Sequence, residues 1–289
     1  MKNIKISVLC PSRGRPKNLE RLIDSAREKA SKPDEIEFLF YIDDDDTTFT
    51  DFNYKKYLDS NCRIIHGKRM WISVAHNFLY AQASGEIIMA AADDFVFQSK
   101  NWDSLVSDTF SNSGDNLILV YGSDVGTYKN NLAIYGFFHR DWIETVGYWT
   151  YPARGSLYDL WSFEVAKEIG RLVYLPDLEI AHVHYRQGDA TANFDSTYRD
   201  MYTSNSTWRP KITYKQLKRE RRIDVVLLCE KAQIKTPLDI NYVLAHIIMK
   251  LLKNVMSKTK KRRLLSMQNK EVIASVFKFS NWKLFRNQI

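Results

Sequence analysis

The stretch WISVAHNFLYAQASGEIIMAAADDFVFQSKNWD, Trp71 to Asp103, decides how this chain is read. Ile72, Ala75, Leu79 and Ala83 recur at helical spacing, and Ser84-Gly85 supplies a C-terminal stop. Glu86 to Ala92 is a short apolar run suited to a buried parallel strand. Asp93-Asp94 therefore stands at the carboxyl end of a strand, the edge at which open α/β sheets bind ligands. Adjacent carboxylates repel unless a cation or hydrogen-bond donors offset them. A divalent ion is one partner, and hard oxygen ligands suit Mg²⁺ or Mn²⁺. The plainer alternative is an exposed turn in which an Asp helps to cap the next element.

Towards the N-terminus, Ile4 to Cys10 reads as a strand, and Leu19, Leu22, Ile23 and Ala26 mark one face of the helix that follows. Between them lies Pro11-Ser12-Arg13-Gly14-Arg15-Pro16. Two arginines at a strand's carboxyl end suit a diphosphate, because guanidinium pairs bidentately with phosphate oxygens. A second strand, Ile36 to Ile42, ends in Asp43-Asp44-Asp45-Asp46, four repelling acids that structure alone explains poorly. Cys62 to His66 reads as a third strand and leads into Lys68-Arg69. Strands alternating with helices indicate an α/β, Rossmann-like sheet. Further strands are expected at Asn116 to Tyr121, Ala133 to Phe138 and Arg171 to Leu175. Leu157-Tyr158-Asp159-Leu160-Trp161 opens a helix, and His182 and His184, two apart on a strand, share one face.

These segments together resemble the GT-A nucleotide-sugar glycosyltransferases, family-two-like. The resemblance rests on the basic loop after strand one, the acids after strand two, and the helix from Ala75-His76-Asn77-Phe78 to Ala83-Ser84-Gly85-Glu86. It also rests on the aspartate pair, on Phe97 and Trp102-Asp103 beyond it, and on the late histidine. It implies a GT-A mixed sheet flanked by helices over residues 1–208 and a metal-dependent transfer from a nucleotide-diphosphate sugar, a UDP-sugar, to a hydroxyl. Donor binding then falls to Pro11, Ser12, Arg13, Arg15, Asp43, Asp44, Lys68, Asn77 and Asp93, with Asp45 and Asp46 simply solvated. Asp93, Asp94 and His182 are the implied ligands of Mn²⁺ or Mg²⁺, with His184 as alternate to His182. Relatives carry an acid where this chain has Ala91-Ala92, which leaves open which aspartate takes metal and which takes ribose. Asp159 is implied as the base that deprotonates the acceptor; its other reading is a helix N-terminal Asp favoured by the macrodipole.

Charge divides the chain. Residues 1–208 hold 22 Lys and Arg against 29 Asp and Glu, whereas residues 209–289 hold 20 against 5. A basic, helical C-terminal extension suggests a polyanionic partner, DNA or an anionic membrane surface, or else a solvated appendage. Lys218, Arg219, Arg221 and Arg222 read as phosphate ligands, with Trp161 and His184 on the acceptor side. Ile240 to Val255 forms one apolar stripe that packs on the protein or lies on a membrane. The chain is also similar in kind to phage enzymes that add sugars to hydroxymethylated or hydroxylated pyrimidines in DNA. That acceptor is the expectation, with a membrane-associated polysaccharide or lipid-linked saccharide transferase as rival. Cys10, Cys62 and Cys229 give no disulfide framework. No signal peptide or membrane span is read, so a cytoplasmic setting is expected, the host's if a phage encodes the chain.

Overall fold

The structure is a computed structural model that describes residues 5–50, 56–57, 61–126, 128–149, 158–183, 199 and 218–237. Chain order is β1 (Ile6–Ser12), α1 (Pro16–Lys29), β2 (Ile36–Asp43), β3 (Cys62–Gly67), α2 (Ile72–Tyr80), β4 (Ile87–Ala90) and β5 (Phe95–Phe97). Then come α3 (Trp102–Ser111), β6 (Leu119–Ser123), β7 (Phe137–His139), α4 (Arg140–Val146), α5 (Tyr158–Glu168), β8 (Leu172–His182) and α6 (Lys218–Ala232). The strands form one mixed sheet in the order β3-β2-β1-β4-β7-β6-β8-β5. The fold is the mixed α/β sheet flanked by helices that the resemblance to GT-A enzymes implies.

β1, β2, β3 and β4 run parallel, with Leu9 opposite both Leu39 and Ala90 and Asp43 opposite Gly67. β2 is buried along its whole length, as expected of a strand covered on both faces. One layer of core, around Leu19, Leu22, Phe38, Phe40 and Trp102, lies under α1 and α3. The other, around Leu39, Leu79, Ile88, Trp142 and Trp161, lies under α2, α4, α5 and α6. Trp102-Asp103 belongs to this architecture. Trp102 Nε1 donates to Ala26 O at 2.8 Å, and Asp103 accepts from the amides of Ser31 and Lys32, each at 2.8 Å. The motif thus ties α3 to the end of α1.

Several boundaries differ from the sequence pattern. α2 stops at Tyr80 rather than at Ser84-Gly85. Buried Glu37 draws the amides of Ser84 and Gly85, at 2.5 and 3.3 Å, while Arg140 takes the carbonyls of Ala83 and Gly85. That turn is thus held by side chains and not by the helix. β8 runs unbroken where a strand ending at Leu175 is expected, and it changes partner on the way. Its first residues pair with β6, and Ile180–His182 pair with β5. A Cβ on Gly122 would lie 2.0 Å from Leu178 O, so only glycine lets β8 cross there.

The expected boundary between residues 208 and 209 lies outside the described residues, as does the 240–255 stripe. α6, the first described helix beyond that boundary, packs on α4 and α5 and buries Val225, Val226, Leu228 and Cys229 in the same core. No helix among the described residues is long and apolar enough to cross a membrane.

Candidate active site

The parallel register brings the carboxyl ends of β1, β2 and β4 side by side, and the charged loops meet there. Ser12 Oγ donates to Asp93 Oδ2 at 2.7 Å, and Arg15 Nη1 to Asp93 Oδ1 at 3.1 Å. Arg13 Nη1 donates to Asp43 Oδ2 at 2.9 Å and to Asp45 Oδ1 at 2.5 Å, and its Nη2 reaches Asp45 Oδ2 at 3.1 Å. Arg69 Nε stands 4.0 Å from the same Asp43 oxygen. Asp46 accepts from Gly14 N at 2.7 Å and caps the short turn at Thr47–Phe49. The four acids are therefore divided among partners. Asp43 is buried, Asp45 and Asp46 bind the loop after β1, and Asp44 is exposed. Asp45 and Asp46 are thus not simply solvated: each holds part of that basic loop.

Lys68 is exposed at the end of β3, where its carbonyl accepts from the Tyr41 hydroxyl at 2.7 Å. A Cβ on Gly67 would lie 2.3 Å from that hydroxyl, so glycine admits the ring. Pro11 is part of β1 itself. Asn77 is placed differently from expectation. Its Nδ2 donates to Ser73 O and its Oδ1 accepts from Trp149 N, both at 2.8 Å. Its amide is engaged at both ends inside the core, where it ties α2 to Trp149.

Asp93 and Asp94 are both buried but face different neighbours. Burial, reinforced by Asp94 and opposed by Arg15, pushes the Asp93 carboxyl up to about 6. Asp94 Oδ1 lies 3.3 Å from His182 Nε2. The antiparallel pairing of β5 with β8 makes this contact, by setting Phe95 opposite His182 with Asp94 next to it. The Val183 amide donates to Asp94 O at 2.9 Å and locks the register. A carboxylate beside an imidazole is a donor set compatible with Mn²⁺ or Mg²⁺. Among the described residues no three His, Cys, Asp or Glu side chains gather as a metal cluster. The expected trio Asp93, Asp94 and His182 therefore resolves into a pair, Asp94 with His182, beside an Asp93 held by Ser12 and Arg15. His184 lies outside the described residues.

Asp159 sits in the first turn of α5 and accepts from the Leu160 amide at 2.7 Å. Burial raises its carboxyl to about 6, partly offset by backbone donors and the charge of His182. With Ser162, Trp149, Ala90 and Gly136 it lines a small, mostly apolar cavity at the last residue of β4, bordered by Leu119 of β6 and Phe138 of β7. Trp161, two residues on, is buried, and its indole nitrogen donates to Asp224 Oδ2 at 2.7 Å. Arg221 and Arg222 are also placed otherwise than as phosphate ligands. Arg221 Nε pairs with Glu164 at 3.5 Å and its guanidinium lies 5.3 Å over Trp161, while Arg222 pairs with Glu168 at 3.4 Å. Lys218 is exposed, and the Arg219 side chain lies outside the described residues. Sequence reasoning missed Asp224 and Asp124. The buried Asp124 carboxylate takes three backbone amides, and its carbonyl accepts from His182 N. Neither has a local sequence signal beyond an acid among apolar or turn residues.

Similar solved structures include a mannosyltransferase from Pyrobaculum calidifontis in complex with GDP-Man and Mn²⁺. It is 14% identical, with a TM-score of 0.52, covering 96% of this chain and 87% of the other. Residues 1–349 of S. aureus TarS in complex with UDP-GlcNAc are 13% identical with a TM-score of 0.54, over 93% and 77% of the two chains. At these identities the likeness concerns the fold. No curated protein sequence matches. The profile of glycosyl transferase family 2 matches residues 7–151, half of the chain and all of the strand-end loops described above, and the chain belongs to that family.

Proposed function

We propose that the protein transfers a sugar from a nucleotide-diphosphate sugar, a UDP-sugar, to a hydroxyl acceptor. The observation that carries this reading is the meeting of Arg13, Arg15, Asp43, Asp93, Asp94 and His182 at one sheet edge. Asp43 contacts the nucleoside. Arg13, Arg15 and Lys68 face the diphosphate, to which guanidinium donors are suited. Asp94 and His182 would hold Mn²⁺ or Mg²⁺, which supplies positive charge to the diphosphate leaving group. Ser12 and Arg15 orient Asp93 towards the donor. Asp159 accepts the proton of the attacking hydroxyl.

The chemistry fixes the sign of the pH dependence. A base works deprotonated, so a carboxyl raised to about 6 makes kcat/KM fall as the pH drops through that value. Asp159→Asn removes the base. Release of UDP from a panel of UDP-sugars, with Mn²⁺, should fall by about a hundredfold or more in that variant. Wild-type turnover by Asp159→Asn would remove Asp159 from the mechanism. For the acceptor we put forward a hydroxymethylated or hydroxylated pyrimidine in duplex DNA. Its support is the charge of residues 209–289 alone, and a lipid-linked or surface saccharide on an anionic membrane is the rival. Incubation with labelled UDP-sugars, Mn²⁺, and either modified DNA or membrane lipid extract distinguishes them by which becomes labelled.

A further inference from the structure

We propose that Asp224 of α6 is a positioning residue for sugar transfer, clamping with one carboxylate oxygen the two chain segments that carry Trp149 and Asp159. The inference rests on the role of Asp159 given above. Asp224 is buried, and its Oδ2 accepts both the Trp161 indole N–H, at 2.7 Å, and the Tyr148 hydroxyl. Each donor adjoins a residue that lines the cavity at the end of β4: Tyr148 precedes Trp149, and Trp161 lies two residues beyond Asp159. Trp149 is in turn fixed from α2, through the Asn77 side chain and edge-on contact with His76 at 5.4 Å. The Trp161 ring is covered by the Arg221 guanidinium.

Energetics point the same way. A buried carboxylate is costly to desolvate, and a leucine of similar volume would pack without that cost. What the carboxylate adds is direction: two hydrogen bonds converge on one atom and set the distance between two walls of the cavity. Misplacement of a reacting group by about 1 Å costs on the order of a hundredfold in rate. α6 thereby has a task within the transfer reaction, although it comes from the part of the chain whose charge suggests a polyanion partner.

The test uses the full chain with Asp224→Leu, Asp224→Asn, Tyr148→Phe and Trp161→Phe. UDP affinity is read by calorimetry, and kcat and KM by UDP release from the best UDP-sugar of the panel. Asp224→Leu should lower kcat by about tenfold or more while donor KM and UDP affinity stay within about twofold of wild type. Asp224→Asn keeps a carbonyl oxygen in place and should recover most of the rate. Tyr148→Phe and Trp161→Phe each remove one donor and should each lower kcat by a few-fold, about the worth of one hydrogen bond. Unchanged kcat across the folded variants overturns the proposal, as does a parallel loss of UDP affinity or a failure of the Asn variant to recover. If Asp224→Leu does not fold, Tyr148→Phe and Trp161→Phe decide by the same criteria. Wild-type turnover by Asp159→Asn would instead bring down the functional reading and this inference together. A dead Asp159→Asn with wild-type Asp224 variants brings down only the inference.

Discussion

Arginine–carboxylate pairs occur on both sides of the molecule, and they do different jobs. At the ends of β1 and β2, Arg13 shares itself between Asp43 and Asp45, and that second carboxylate is 61% exposed. Such a pair is worth little in stability, and an incoming diphosphate competes for the guanidinium on good terms. On α6, Arg221 and Arg222 are 10% and 14% exposed and face Glu164 and Glu168 of α5. Arg221 also stacks over an aromatic ring. These pairs hold two helices together. The same residue types therefore mark a ligand site in one region and a strut in the other. Place in the fold, strand-end loops in one case and a helix–helix contact in the other, tells them apart, and not the count of basic residues.

The largest effect that can break this comparison comes from the donor side. Asp94 is 6% exposed beside His182. If the pair holds a cation, Asp94→Ala should lower transfer by about a hundredfold or more, since charge stabilisation of a leaving group is among the largest catalytic terms. Excess EDTA should abolish transfer, and Mn²⁺ should restore it. Undiminished transfer in EDTA would make Asp94 and His182 a structural pair, and the donor side would then resemble the α5–α6 side.

The two regions also differ in how far they can be read from sequence. β1 to β4 are apolar runs ended by turn and charged residues, so their ends, and Arg13, Asp43 and Asp93 upon them, follow from local pattern. β5 is three residues long, and β8 joins two expected pieces by passing Gly122. β5 leaves no local trace, and neither does the join within β8, because long-range pairing makes them. The same holds for the side chains that sequence reasoning placed otherwise. Trp149, Asp224 and Glu164, which meet Asn77, Trp161 and Arg221, stand 72, 63 and 57 residues away from them. A basic run at the start of a helix looks alike whether it faces phosphate or glutamate.

A medium effect sharpens the comparison within the donor side. Asp43 is buried and Asp45 is not, although both hold Arg13. A buried charge-assisted contact is worth about 1.5–3 kcal/mol. Asp43→Ala should therefore raise the UDP dissociation constant by roughly ten- to a hundredfold. Asp45→Ala should leave it within about threefold, as an exposed pair contributes little. Calorimetric titration of both variants decides. Equal effects would mean that burial is not what distinguishes the site.

The smallest effect tests the strut. Arg221→Ala removes a guanidinium stacked on Trp161 and paired with Glu164, and should cost about 1 kcal/mol of stability. For a protein of this size the melting temperature should fall by about 2 °C, read by differential scanning fluorimetry. UDP affinity should not change, because the pair lies on the α5–α6 contact and not at the strand ends. Duplex DNA binding, followed by anisotropy over a salt series, gives the opposing outcome. A residue that touches phosphate contributes about 0.9 to the slope of log affinity against log salt. Joint replacement of Arg221 and Arg222 should leave that slope intact, since both guanidinium groups already face glutamates. A slope reduced by about two, with an unchanged melting temperature, would place both arginines on a DNA-binding face and erase the distinction between the regions.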